Sequence, residues 1–95
     1  MARTSWWLQC QVSLGLFEHE RLVHIENAAG DRVASLVVDR ALVEEERRPG
    51  PNLRSLGRVR VEPLSIEGMA TVALPTPSIE HGRVISIEAE LLSQS

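Results

Sequence analysis

Leu8-Gln9-Cys10-Gln11-Val12-Ser13-Leu14 alternates apolar and polar residues without a break and ends at Gly15. A period of two places Leu8, Cys10, Val12 and Leu14 on one face of an extended strand and Gln9, Gln11 and Ser13 on the other. A helix of the same length would scatter those apolar side chains around its axis. This stretch therefore sets the expectation of a β protein with one buried and one wet face.

The rest of the chain repeats the period. Val84-Ile85-Ser86-Ile87-Glu88-Ala89-Glu90-Leu91 sets Ile85, Ile87, Ala89 and Leu91 against Ser86, Glu88 and Glu90, as a half-buried strand does. Arg21–Glu26 and Val33–Val38 form two further runs around Asn27-Ala28-Ala29-Gly30-Asp31, a hairpin turn in which Gly30 supplies a positive φ. Arg58–Glu62 alternates again, but Val59 and Val61 are odd while Leu64 and Ile66 are even. The phase slip at Pro63 predicts a bulge or bend. Ala70–Leu74 is a short run that Pro75-Thr76-Pro77 should end. Residues 39–48 are open to two readings. In one, Asp39 caps a short helical turn, Glu44 pairs with Arg48 and Pro49 stops it. In the other, a turn at Asp39–Ala41 leads into a short edge strand near Val43. The first, as a turn or single helical turn, is preferred. Pro49-Gly50-Pro51-Asn52 is a loop.

The expected architecture is an all-β single domain over residues 1–95, a small antiparallel six-stranded barrel or tight sandwich of SH3-like or OB-like form. It allows one short helical turn near residues 40–48. Each strand has one apolar face, and a chain of this size has room for one core. Curling also limits the exposed sheet edges. At 43% hydrophobic and 24% charged, the composition is that of a globular domain rather than a disordered chain.

Composition narrows the function classes more than it identifies one. The net charge of −3 argues against a dedicated nucleic-acid binder. All ten basic residues are arginine, which a GC-rich genome explains without invoking function. The single cysteine, Cys10, allows no internal disulfide and no cysteine-built zinc site. A reducing compartment is the default reading. The opening residues make a poor secretory leader and no stretch approaches a membrane span, so a soluble, cytoplasmic protein is expected.

No catalytic set is visible. Cys10 sits on the apolar face, the serines lack a nucleophile-elbow pattern and no glycine-rich phosphate loop occurs. His19, His24 and His81 neighbour carboxylates, yet their spacing matches no metal-ligand pattern. The expectation is no enzyme, no cofactor and no metal.

Two surfaces stand out as binding candidates. Trp6 and Trp7 are neighbours on a strand and must point to opposite faces, so one indole should be at least partly exposed, either as a hot spot for a partner or as a terminal residue that covers core atoms at the barrel's end. Arg47, Arg48, Arg54, Arg58 and Arg60 fall in a segment with no acid, directly after Glu44–Glu46. The bland reading of that segment, a solvated loop neutralised by Glu44–Glu46, is preferred. The function expected is a small non-enzymatic interaction module that binds a protein partner or forms a homodimer. The alternative is an RNA- or ribosome-associated barrel that uses the arginine-rich loop 47–60.

Overall fold

The computed structural model describes residues 4–95, so Met1–Arg3, part of the stretch weighed as a leader, lie outside the described residues. The chain is all-β, with eight strands: β1 (Trp6–Leu14), β2 (Arg21–Glu26), β3 (Arg32–Val37), β4 (Val43–Glu45), β5 (Ser55–Ser65), β6 (Ala70–Ser78), β7 (Gly82–Ile87) and β8 (Leu92–Gln94). All pairings are antiparallel, and the sheet runs β3-β2-β1-β5-β6-β7. β4 pairs with β5, and β8 pairs with the start of β1. The sheet curls into a half-barrel. Its shortest dimension, 19 Å, fits two sheet layers about 10 Å apart.

The open side of the half-barrel is bridged by side chains where the ladder stops. The Ser35 hydroxyl on β3 lies 2.8 Å from that of Thr76 on β6, and Thr76 Oγ1 donates to the Leu36 carbonyl at 2.8 Å. The Ile79 N–H reaches the Ala34 carbonyl at 2.9 Å. The core lies inside the curl. Leu8, Val12, Val23, Val59, Val72, Leu74 and Ile87 are fully buried, and their parities are those the alternation assigns.

The two additional strands account for the count of eight against an expected six. Residues 39–48 combine both readings: Asp39 Oδ1 caps a 3-10 turn at Arg40–Leu42, and β4 follows at once. The Glu44–Arg48 pair does not form, because an extended chain turns those two side chains towards different neighbours. Glu44 meets Arg58, and Arg48 meets Glu18. The alternation from Val84 ends earlier than its pattern. β7 stops at Ile87, a 3-10 turn spans Ala89–Leu91, and β8 resumes pairing against β1. The phase slip at Pro63 is a register shift between Pro63 and Ser65. Pro75 and Pro77 do not end β6, because they fall where its register against β7 slips, between Ala73 and Ser78. The Arg83 side chain donates to the Leu74 carbonyl there at 2.7 Å.

Cys10 is buried in the inner layer, and burial pushes its thiol up from 9.0 to about 12. An unfolded thiol ionises near the ordinary value. The neutral thiol's contribution to stability is therefore intact below about pH 9 and is lost as pH rises towards 12. Alkaline titration of stability should show this loss in the wild type and not in Cys10→Ala, read by denaturant melts at successive pH values.

Candidate functional site

The strand ladder decides the fate of the two tryptophans. Trp6 pairs with Val61 and turns inward, where it packs half-buried against the core. Trp7 pairs with Arg60 and Ser93 and turns outward, yet it is only 7% exposed. The Arg58 guanidinium lies over its ring, 4.5 Å from the centroid. Glu44 fixes that guanidinium, with Oε1 2.8 Å from Nε and 2.6 Å from Nη2. A cation held over an indole shields it from water and from partners alike. The indole N–H of Trp7 has no hydrogen-bond partner. The partly exposed tryptophan is thus Trp6, on the inner side, and neither indole offers a bare outward face.

The five arginines are dispersed rather than gathered. The loop narrows to residues 46–54, because β5 begins at Ser55. Alternation then points Arg58 and Arg60 to the outer face of the sheet. Arg47 offers a backbone N–H to Ser55 Oγ at 3.1 Å. Arg48 forms a two-pronged ion pair with Glu18, at 2.5 and 2.9 Å. That hydrogen bond holds the Glu18 carboxyl below its usual range and raises Arg48. Arg54 donates to Gln11 Oε1 at 3.2 Å. Arg60 remains exposed beside Trp6 on an open cleft of ≈ 390 Å³.

The feature that sequence reasoning missed is the β1–β2 loop, residues 15–20. Leu16 is 89% exposed and Phe17 63%, the first being the most exposed large hydrophobic side chain among the described residues. The loop beneath them is tightly bonded. Glu20 is buried, and its Oε1 accepts the backbone N–H groups of both Leu16 and Phe17 at 3.0 Å. The Glu20 N–H returns to the Phe17 carbonyl at 2.9 Å. Gly15 is required by a close approach, since a Cβ there would lie 2.5 Å from Glu20 Cβ.

A buried ion pair braces this loop from below. Arg21 is 1% exposed, on the inner parity of β2 with Val23 and Ile25. Its Nε meets Glu45 Oε1 of β4 at 2.8 Å. Its Nη1 donates to the carbonyls of Glu18 and Glu20, each at 2.8 Å. Glu45 thus fixes Arg21, Arg21 fixes the loop backbone, and Glu20 fixes the N–H groups of Leu16 and Phe17. Above this base the Phe17 ring stacks on His19, with centroids 5.9 Å apart. The sequence held one signal for the loop: an apolar Leu-Phe pair directly after a turn glycine, where polar residues are usual.

The three histidines lie in separate settings. His19 stacks on Phe17, His24 contacts Ser13 Oγ at 2.8 Å, and His81 lies 4.0 Å from Asp31. Among the described residues, no group of three or more His, Cys, Asp or Glu side chains is placed to hold a metal ion. No protein family, curated protein or solved structure matches the chain.

Proposed function

We propose that this domain is a non-catalytic interaction module that docks on another protein through Leu16 and Phe17. The observation that carries this reading is the contrast within one loop. The backbone N–H groups of Leu16, Phe17 and Glu20 are bonded within the loop, yet two large apolar side chains stand in water. Ordering such a loop in advance removes an entropy cost that a flexible loop would meet on binding. Burying each side chain in a partner's apolar pocket is worth about 1.5–3 kcal/mol, the scale of an interface anchor. Glu18, Arg48 and His19 supply the polar rim that such anchors carry. No helix among the described residues is long and apolar enough to cross a membrane.

The test is a Leu16→Ser/Phe17→Ser double variant. Its melting temperature should stay within about 2 °C of wild type, because neither side chain is buried. Proteins that co-purify with the wild-type domain at defined stoichiometry should be lost from the variant. Light scattering of the purified domain reports whether the occupant is a second copy, in which case a wild-type dimer becomes a monomer in the variant. Unchanged co-purification and unchanged mass in the variant would overturn the reading.

A further inference from the structure

The outer face of the sheet carries a second feature, which the docking loop does not use. Gln11, His24, Arg32 and Arg54 line an open hollow of ≈ 340 Å³ whose apolar side includes Leu56 and Leu91. The ladder assembles it from distant sequence. Gln11 lies directly opposite His24 across β1 and β2, and Arg32 on β3 lies opposite Glu26 on β2. Arg54 enters from the start of β5 and donates to Gln11 Oε1 at 3.2 Å, which leaves the Gln11 amide N–H groups to donate into the hollow. His24 Nε2 is occupied by Ser13 Oγ at 2.8 Å, which leaves Nδ1 for a ligand.

The charge balance is uneven. Among the described residues, neither Arg32 nor Arg54 has a carboxylate within ion-pair distance, whereas Arg21, Arg40, Arg48 and Arg58 all do. Among the described residues, Glu26 is the one acid lining the hollow. Two guanidinium groups, an imidazole and an amide therefore converge against one carboxylate.

We propose that this hollow binds a small tetrahedral dianion carried on an apolar group, that is, a phosphate monoester. The guanidinium groups and the Gln11 amide bind the oxygens, and Leu56 and Leu91 contact the organic part. His24 acts as the proton-linked member. Burial, followed by the charges of Arg54 and Arg32, holds its imidazolium below the ordinary range. An arriving dianion opposes those two charges and favours the protonated ring, so binding of an anion of fixed charge, such as inorganic sulfate, takes up a proton and tightens as pH falls through the His24 transition. Glu26 faces the same hollow and works against the anion.

NMR titration of the His24 ring in sodium sulfate against sodium chloride at matched ionic strength tests this, because sulfate keeps its charge across the range. Sulfate should raise the His24 midpoint by about half a pH unit or more. Phenyl phosphate should shift Gln11, His24 and Leu56 resonances together. Arg32→Ala and Arg54→Ala, both at exposed positions, should each weaken binding about tenfold or more, and Glu26→Gln should strengthen it. An identical His24 titration in the two salts would overturn the proposal. So would undiminished sulfate binding in both arginine variants, which marks a non-specific ion effect. A single-stranded RNA that shifts these resonances when sulfate and phenyl phosphate do not would also overturn it, in favour of a nucleic-acid contact.

Discussion

Glu45→Ala is expected to lower the unfolding free energy by about 3–5 kcal/mol, since it strands a buried guanidinium. Arg21 is 1% exposed, and among the described residues Glu45 is its only carboxylate partner. Without it, the cation keeps two carbonyl contacts and no counter-charge. Arg40 also lies 3.6 Å from Glu45, but it is 46% exposed and solvent screens its contribution. A domain of this size has about 5–15 kcal/mol in total, so the variant should sit near the edge of stability. Replacing both partners with apolar residues, Arg21→Met with Glu45→Leu, removes the charge along with its partner and should recover most of the loss. Denaturant melts of the single and double variants check this. A loss under about 1 kcal/mol in Glu45→Ala would show that water reaches the pair.

Gly57→Ala carries the second large effect. A Cβ at this position would lie 2.3 Å from the Glu44 carbonyl oxygen and 2.9 Å from Val12 Cγ2. The first is backbone of β4, which pairs with β5 at this point through Glu45 and Gly57. β4 must move outward to admit a methyl group, and Glu45 moves with it, away from Arg21. We expect a cost of about 3 kcal/mol, and a fall in melting temperature of more than about 10 °C. Gly50→Ala is the control, because its nearest neighbour would be Leu53 Cβ at 3.6 Å. Equal melting temperatures for the two variants would contradict the close packing of β4 on β5.

Both effects turn on contacts that join distant parts of the chain, and these mark the limit of what the sequence discloses. β1 was legible because its inner face is dry and its outer face wet, so alternation and burial coincide from Leu8 to Val12. Arg21 shares the parity of Val23 and Ile25, but charge is ordinarily a sign of exposure, and its burial depends on Glu45, 24 residues away. Trp7 has outward parity and is nonetheless covered, because Arg58 arrives over it from β5. β4 and β8 are three residues each, too short for a period of two to register. The proline pair in β6 read as a terminator because the register slip that accommodates it depends on β7.

The candidate sites follow the same division. The arginines of residues 47–60 could be counted in the sequence, but their partners Glu18, Gln11 and Glu44 lie on other elements and divide them. Leu16 and Phe17 were invisible as a site because exposure belongs to the loop's geometry. That geometry depends on a buried Glu20, which reads locally as part of a solvated Glu-His-Glu run. The hollow at His24 requires β2 and β3 to lie side by side with the start of β5 near by.

A rigid base holds Leu16 and Phe17 in water. Native-state hydrogen exchange at the amides of these two residues reads that rigidity. Both donate to Glu20 Oε1 at 3.0 Å, so both should be protected to a degree comparable with the flanking strands, and Glu20→Ala should abolish that protection. Exchange at the rate of an unstructured peptide in the wild-type domain would contradict that rigidity, since it would make the exposed pair part of a mobile loop with no prepared surface.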